Sequence, residues 1–402
     1  MLPLNLREAA YPVYKDNPLN HLNTMKKFAY IALVAIISSC GNSNDEPKSP
    51  DIPQTSDKTS TAGFDKYSES NIFSRNVKLK LSLPMQGFSL DSDGSVWYTQ
   101  SSKQNMYISK AKPNKGVSPV DAVSELMTLT YCGHGTNTAI EEVGADRYVW
   151  AGCFGSANAN GEYWTEKLIG RVKFEKGKTV VTDDFDEYYY IGEQTDMHPS
   201  IDAEHDLLTI NYGGTGTSND RSFKVYKLSE AKNAPKISVE VSCTDGFRTG
   251  KAGSTAKTTI TVRARDLTAL TPVATPKFPK QGYGSAGSTY YSWQGFDVNG
   301  DRLYYAEGND NYGLTGGFGT PSYAYITVFD MKGKVVEERT QIKAIADADW
   351  TSKMGMSVFG MFESEGVKVK GDKIYLGFGA RYITDSNTTY YQDILVYDKP
   401  SK

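Results

Sequence analysis

Apolar and polar residues alternate in short runs along this chain from residue 73 onward. Runs of four to eight residues rich in β-branched and aromatic side chains, bounded by Gly, Asn, Asp or Pro, predict β-strands. No helical period separates them, so we expect an all-β domain over residues 73–402. Its first strand lies within 73–83, where residues 77–81 alternate. Further strands are predicted at 168–174, 223–228, 237–243, 258–265, 323–331 and 394–398.

One strand–turn–strand phrase recurs. It reads Gln-Gly-Phe-Ser-Leu-Asp-Ser-Asp-Gly-Ser-Val-Trp-Tyr at residues 86–98, and shorter copies occupy 294–305 and 365–376. Weaker copies start at His134 and His198. The Asp-Gly and Gly-Asp pairs supply the positive-φ positions of hairpin turns. Repeats that cannot bury their apolar face alone favour a radial arrangement. The sequence thus predicts a five-bladed β-propeller of four-stranded antiparallel blades, which the first strand closes. The long interval 210–290 leaves six blades possible.

The first 72 residues have a different composition. Met-Lys-Lys at 25–27 precedes an apolar run, 28–37, that is too short to span a bilayer and is typical of a signal peptide. The run ends in Ser-Ser-Cys-Gly, which resembles a bacterial lipobox in which Cys40 is diacylated. Residues 42–62 contain few apolar residues and should form a tether. We therefore expect an upstream extension (1–24), a lipoprotein signal peptide (25–39) and a lipidated flexible tether (40–72). A secreted protein with an incidental cysteine is the alternative.

Charge and cysteine content limit the partners. The 402 residues carry a formal net charge of −3, whereas a nucleic-acid partner favours a basic face. We expect a monomer in the cell envelope, as an outer-membrane lipoprotein facing the periplasm or the surface, with membrane contact through its lipid only.

Cys132 and Cys153 fall in one repeat and form a candidate disulfide. Buried free thiols are the alternative.

Each repeat opens with a hydrogen-bonding side chain beside Gly or Pro. The first strand of a propeller blade lines the central channel, so these side chains should form a ring facing the axis. The five positions are Gln86, His134, His198, Gln294 and Glu365. Imidazole and carboxylate are competent metal ligands, so a divalent metal held by His134, His198 and Glu365 is possible. We nevertheless expect no cofactor, because a polar, water-filled throat is the favoured interpretation.

Aromatic residues accompany the long Gly/Ser/Asn-rich segments at 152–164, 212–221, 245–255, 276–289 and 308–323. Their flat, amphipathic rings could stack on sugars, or they could pack between blades. Nucleophile-elbow, zinc-protease, phosphate-loop and Cys-x-x-Cys motifs are absent, which favours binding over catalysis. Candidate ligand-binding residues are Trp164, Tyr212, Tyr290, Tyr291, Trp293, Tyr312 and Arg171, the last for an anionic polymer.

A succession of short motifs resembles a known family. The motifs are Met-Gln-Gly-Phe (85–88), Gly-His-Gly-Thr (133–136), Ile-Gly-Arg-Val-Lys-Phe (169–174), His-Pro-Ser-Ile-Asp (198–202) and Gln-Gly-Phe (294–296). They resemble the family labelled teichoic acid biosynthesis protein C, whose relatives include the propeller of phage receptor-binding proteins and helveticin-type bacteriocins. The resemblance covers residues 80–400. It implies a five-bladed propeller that recognises cell-surface glycopolymers. Asn137 and Thr138 interrupt an otherwise apolar stretch of the family pattern.

These observations together favour one function and two alternatives. The first is an envelope lipoprotein, similar to those of Bacteroides-like bacteria, that binds a glycan or polysaccharide through one end of the propeller. The second is a hydrolase or lyase acting on glycans or small molecules, with His134, His198 and Glu365 as acid, base or metal ligands at the throat. The third is a protein-interaction scaffold.

Overall fold

The computed structural model describes residues 63–122, 126–213, 220–251, 253–279, 292–309, 322–356, 361–384 and 387–399. These residues all belong to one unit of the chain, Ser49–Lys402. No helix among them is both long enough and apolar enough to cross a bilayer.

Strands account for most of the described chain. The first thirteen are β1 (Ile72–Lys78), β2 (Met85–Leu90), β3 (Val96–Ser102), β4 (Asn105–Ala111), β5 (Val120–Asp121), β6 (Leu126–Thr130), β7 (Ala139–Val143), β8 (Asp146–Cys153), β9 (Ser156–Ala157), β10 (Tyr163–Trp164), β11 (Leu168–Lys173), β12 (Thr179–Val181) and β13 (Glu187–Tyr190). The others are β14 (His198–Asp202), β15 (Leu207–Tyr212), β16 (Asp220–Lys227), β17 (Lys236–Thr244), β18 (Lys257–Asp266), β19 (Lys277–Pro279), β20 (Trp293–Asn299), β21 (Arg302–Asn309), β22 (Tyr323–Asp330), β23 (Val335–Gln341), β24 (Phe362–Lys370), β25 (Lys373–Thr384) and β26 (Asn387–Asp398).

Helices in the described part of the chain are few and short. The α-helices are α1 (Leu228–Asn233), α2 (Gly246–Thr249) and α3 (Ala348–Lys353), and the 3-10 turns are Gly63–Asp65, Glu69–Asn71, Leu267–Ala269 and Lys343–Ala346.

The strands form five blades of a β-propeller, as the repeated phrase predicts. From the axis outward, the antiparallel strands are β2-β3-β4-β6 in blade 1, β7-β8-β11-β13 in blade 2, β14-β15-β16-β19 in blade 3, β20-β21-β22-β23 in blade 4 and β24-β25-β26-β1 in blade 5. Strand β1 pairs with β26, so the N-terminal strand closes the ring. Both the five blades and the four antiparallel strands per blade are confirmed.

The interval 210–290 does not supply a sixth blade within the described residues. Strands β16 and β19 from this interval are the third and fourth strands of blade 3. The hairpin β17–β18 instead extends blade 2, because β18 pairs in parallel with β13. Strands β12 and β5 similarly add parallel edges to blades 1 and 5.

Apolar side chains pack between neighbouring blades, and middle strands of the blades are buried on both faces. In β8, Val149 and Ala151 join a cluster shared with blade 1, while Trp150 points into the cluster shared with blade 3. In β21, Tyr304 faces blade 5 and Tyr305 faces blade 3. Burial on both faces explains why such strands contain consecutive apolar residues rather than a strict alternation.

The glycine of the repeated phrase marks a bulge in an inner strand. The register shifts at Gly87 in β2, at Gly295 in β20 and around Gly366 in β24. Gly295 and Gly366 have φ values of +130° and +120°, which L side chains rarely adopt. A bulge with Gly lets three inner strands bend where they approach one another at the axis.

The cysteine pairing predicted from the sequence is wrong. Cys132, Cys153 and Cys243 are all buried free thiols. The sulfur of Cys153 lies 3.3 Å from the carbonyl oxygen of Leu168, and that of Cys132 lies 3.7 Å from the carbonyl oxygen of Thr130. Each thiol therefore faces a backbone acceptor rather than the other sulfur.

Candidate functional site

The five inner strands, β2, β7, β14, β20 and β24, lie around the axis and begin at the same end of the propeller. We call this end the N-terminal face. Strand β15 ends there and β16 begins there, and β21, β22 and β24 likewise border it. The described strand ends next to residues 214–219, 280–291, 310–321 and 357–360 lie at this face.

Residues 134–138, just before β7, fill the axis close to this face. The Asn137 amide donates to the Pro199 carbonyl oxygen of blade 3 and accepts from the Phe296 N–H of blade 4, both at 2.8 Å. The Thr99 hydroxyl of blade 1 donates to the Gly135 carbonyl oxygen at 2.9 Å. The five predicted ring positions thus do not surround an open throat at this level, because a backbone segment of blade 2 lies between them.

Two imidazole–indole pairs stand at the N-terminal face. The ring of His134 stacks on that of Trp164, with centroids 4.0 Å apart and planes 13° apart. The ring of His198 lies 4.7 Å from that of Trp293, over which the buried Arg221 guanidinium also sits, 4.6 Å from the ring centroid. Both tryptophan residues are half-buried. The structure therefore brings four of the sequence-predicted residues, two imidazoles and two indoles, to one end of the axis.

Beside these pairs lies a buried cluster of ligand-type side chains: Glu166, Asp196 and His198. One polar atom from each lies within 4.8 Å of the other two. The three residues are 1%, 5% and 4% exposed, respectively. The Asp196 Oδ1 atom is 3.5 Å from His198 Nε2, and His198 Nδ1 is 3.1 Å from the Thr136 carbonyl oxygen. Among the described residues, this is the group of three such side chains that converges most closely on one point.

The absence of side chains at two glycines makes room for Glu166. A Cβ on Gly133 would fall 1.3 Å from Glu166 Oε1, and a Cβ on Gly152 would fall 2.5 Å from Glu166 Cγ. Glu166 Oε2 is buried and has no hydrogen-bond partner. A carboxyl group in this position is unusual, because a buried polar atom ordinarily finds a partner.

Burial sets the protonation of these groups. It raises the pKa of Glu166 to about 7, with the Asp196 charge acting in the same direction and the His198 charge opposing it. For His198, burial acts to lower the pKa, but the adjacent Asp196 and Glu166 carboxylates raise it above the usual value. Burial lowers the pKa of His134 to about 4, so this imidazole is neutral near pH 7.

The other ring candidates lie elsewhere. The Gln294 amide donates to the Gly308 carbonyl oxygen at 3.2 Å and lies 3.5 Å from Glu363 Oε1. Glu365 is buried, and burial together with the Glu363 charge raises its pKa well above the usual value. Gln86 is half-buried in β2. The tightest ligand-type cluster in the described chain contains His198 but not His134 or Glu365.

Two more candidates occupy structural positions. Arg171 is buried in blade 2, where its Nε donates to Glu141 at 2.7 Å and its guanidinium stacks over Tyr148. This arginine is therefore neutralised inside a blade and does not present its charge to an anionic polymer. Tyr212 ends β15 at the N-terminal face and is half-buried. Candidates outside the described residues are Cys40, Tyr290, Tyr291 and Tyr312.

Sequence reasoning missed Glu166 and Asp196. The available signal was the spacing Asp-x-His at 196–198, and a carboxylate two residues after Trp164. Neither is specific. The backbone at Thr165 and at Asp196 has positive φ, +57° and +60°. These conformations set the direction of the chain next to Glu166 and His198, and the alternation of residues in strands does not predict them.

At the opposite end, all five inner strands line an axial cavity of about 210 Å³. Its charges are largely matched: Asp297 accepts from the Ser200 hydroxyl at 2.5 Å and from the Val369 N–H at 2.8 Å, and Lys368 lies 3.5 Å away. The ring of His205 is 2.7 Å from the Asp202 carboxylate. These contacts join blades 3, 4 and 5.

In a comparison with known proteins, no family model and no curated protein matches the chain. Among solved structures, the tail fiber of Staphylococcus aureus phage P68 matches 83% of this chain and 54% of its own at 12% identity, with a TM-score of 0.48. The chain thus spans about half the length of that fiber. The WD40 domain of Toxoplasma gondii coronin matches 82% of this chain and 85% of its own, at 9% identity and a TM-score of 0.32.

A virginiamycin B lyase from Staphylococcus aureus matches 78% of this chain and 96% of its own, at 12% identity and a TM-score of 0.27. At such identities and TM-scores these likenesses carry no inference about function. The five-bladed arrangement that the sequence motifs imply is confirmed by the strand order itself.

Proposed function

We propose that this protein is a ligand-binding β-propeller of the cell envelope that binds a glycan at its N-terminal face. One observation carries the proposal: the half-buried indoles of Trp164 and Trp293 stand at the same end of the axis, each against an imidazole. Flat aromatic rings with polar neighbours offer stacking surfaces and hydrogen bonds together, which suits the alternating apolar and hydroxylated surfaces of a sugar.

The surroundings of the indoles support this choice. The described strand ends next to the Gly/Ser-rich and Tyr-rich stretches of the sequence lie at this same face. Binding residues are commonly carried by loops on a rigid scaffold, and a propeller of packed blades is such a scaffold. The candidates Tyr290, Tyr291 and Tyr312 belong to these stretches of sequence.

We propose further that a lipid on Cys40 anchors the chain in the outer membrane, with residues 42–62 as a tether. The support is the lipobox-like sequence after a short apolar run. Metabolic labelling with a palmitate analogue should mark the wild-type protein and leave a Cys40→Ala variant unlabelled. Labelling of both, or of neither, would remove this part of the proposal.

Glycan binding is tested with the full chain on an array of bacterial surface polysaccharides. Trp164→Ala and Trp293→Ala should each weaken binding by about tenfold or more, the loss expected for one aromatic contact of about 1.4 kcal/mol or more. Tyr375→Ala is the matched control, because Tyr375 is half-buried at the start of β25, at the opposite end of the blade. No binding above background, or equal binding by all four proteins, would refute the proposal.

Catalysis is the second candidate, and a specific observation favours it. Glu166, with a pKa of about 7, stands beside an imidazole, and such a pair is suited to proton transfer near neutral pH. Glu166→Gln should then abolish turnover of a glycan or a small-molecule ester or lactone while the thermal unfolding midpoint is preserved. Binding without turnover in the wild-type protein would favour the binding function.

A further inference from the structure

We propose that Glu166, Asp196 and His198 bind a divalent first-row transition metal ion, with Zn²⁺ as the best match. The site lies between blades 2 and 3, since Glu166 precedes β11 and the other two residues stand at the start of β14. The proposal is independent of glycan binding.

The spacing of the donor atoms fits a metal better than it fits direct contact. Asp196 Oδ1 and His198 Nε2 are 3.5 Å apart, which is long for a hydrogen bond between N–H and a carboxylate. Two ligands of a tetrahedral zinc ion with bonds of about 2.1 Å lie about 3.4 Å from each other. One oxygen of Glu166 completes the set, within 4.8 Å of both.

The orientation of His198 is that of a metal ligand. Its Nδ1 lies 3.1 Å from the Thr136 carbonyl oxygen, and a carbonyl can only accept, so Nδ1 carries the proton. That bond leaves Nε2 directed at the two carboxylates. Ligating histidines ordinarily donate their second ring N–H to a carbonyl or carboxylate, which fixes the tautomer and the ring. Thr136 belongs to the segment that fills the axis, so the orienting carbonyl is itself held in place.

Glu166 Oε2 supplies an independent indication. The residue is 1% exposed and this oxygen has no hydrogen-bond partner. Burying a carboxylate oxygen without a partner is costly, and a cation between the three side chains would satisfy it. Gly133 and Gly152 leave the space that this side chain needs, since a Cβ at either position would collide with it.

The donor set selects the class of ion. One imidazole nitrogen with two carboxylates suits Zn²⁺ and its first-row neighbours, whereas Ca²⁺ and Mg²⁺ prefer oxygen ligands alone. Three protein ligands leave a fourth tetrahedral position open. His198 also lies against Trp293, which places the site beside the N-terminal face.

The test uses the full chain, stripped with a chelator and then titrated with Zn²⁺ alone in a calorimeter, with metal content checked by mass spectrometry. We expect one ion per chain, and an absorption spectrum typical of four-coordinate Co²⁺ when cobalt replaces zinc. Glu166→Gln and His198→Gln should each weaken Zn²⁺ binding by about 100-fold or more, since each removes a direct ligand. His205→Gln is the matched control, because His205 pairs with Asp202 at the opposite end and should leave binding unchanged.

Two results would overturn the proposal. One is a stripped wild-type chain that takes up none of Zn²⁺, Co²⁺ or Mn²⁺ at millimolar concentration. The other is binding that survives in both Glu166→Gln and His198→Gln, or that is lost equally in His205→Gln. Far-ultraviolet circular dichroism of each variant in chelator shows whether it is folded. Glycan binding is scored separately, so a failed metal test and a failed glycan test remain distinguishable.

Discussion

The packing of Glu166 against Gly133 allows a sharp test of the site's geometry. In Gly133→Ala the new Cβ would fall 1.3 Å from Glu166 Oε1, 2.2 Å from Cδ and 2.6 Å from Cγ. Gly133 is not among the glycines with positive φ, so its backbone accommodates alanine. All three collisions are with one side chain, so the cost of the substitution should depend on the presence of that side chain.

The expected magnitudes follow from packing. Overpacking a full core by a methyl group costs about 1–3 kcal/mol, and we expect about 2–3 kcal/mol for Gly133→Ala because the whole carboxyl end must move. Glu166→Ala alone should change the free energy of unfolding by only about 1 kcal/mol. The cavity left by the side chain is destabilising, whereas removal of a buried oxygen without a partner is stabilising, and the two effects oppose each other. In the Glu166→Ala background, Gly133→Ala should cost nearly nothing. The coupling free energy is then about 2–3 kcal/mol.

Gly152→Ala provides the matched control. Its Cβ would fall 2.5 Å from Glu166 Cγ, but also 2.6 Å from the backbone oxygen of Met197 and 2.9 Å from Glu166 Cβ. Alanine at position 166 keeps its Cβ, and the Met197 carbonyl stays in place. Glu166→Ala should therefore not rescue Gly152→Ala, and the coupling there should be small.

The assay is urea unfolding of all variants in chelator, followed by circular dichroism, with free energies taken from two-state fits. Additive effects of Gly133→Ala and Glu166→Ala would refute the reasoning, because they would mean that Glu166 does not fill the space above Gly133. A rescue of Gly152→Ala as large as that of Gly133→Ala would refute it too, since it would show a general loosening of the region.

Two further predictions concern side chains that join neighbouring blades, and a third concerns the cysteines. Asp91 is buried and accepts from Arg147 and Lys110, so Asp91→Asn should lower the unfolding free energy by about 3–5 kcal/mol in urea titrations. Burial opposes ionisation of Asp91, but Arg147 and Lys110 hold the pKa of its carboxyl well below the usual value. The ionised carboxylate therefore stabilises the fold above about pH 4, and this stabilisation should be lost as the pH falls further. Unfolding at graded pH measures the loss. Asn137→Ala should cost about 2–4 kcal/mol in the same assay, since two buried backbone groups lose their partner and φ is +56°; an unchanged midpoint would contradict the bridging role. A Cys40→Ala chain denatured without reductant should titrate three thiols, and one thiol would indicate a disulfide.

The architecture could be predicted because its information is local. The repeated motif specifies a bulged inner strand, a tight turn and a second strand within about a dozen residues. The number of its copies indicates the number of blades. Strand β1 was recognisable as the closing strand for the same reason. The hairpin β17–β18 was harder to place, because its attachment to blade 2 depends on the pairing of Arg265 with Tyr189, 76 residues earlier in the chain.

The candidate site was predictable only in part. His134, His198, Trp164 and Trp293 were identified because a histidine at a strand start and a Trp beside a Gly-rich segment are visible in the sequence. The same reasoning placed Arg171 and Glu365 at the site, and the structure puts the former in an ion pair inside blade 2 and the latter beside Glu363. Periodicity says which face of a strand is buried, but not which buried partner a charged side chain meets.

The sequence by itself determined the strands and their turns and favoured five blades over six, because each depends on the pattern of neighbouring residues. Only the tertiary structure decided that Glu166 and His198, 32 positions apart, share one buried point, and that residues 134–138 fill the axis. Both features depend on closure of the ring of blades, because closure brings together turns that are far apart in the sequence. The pattern of neighbouring residues does not predict which of these turns meet at the axis.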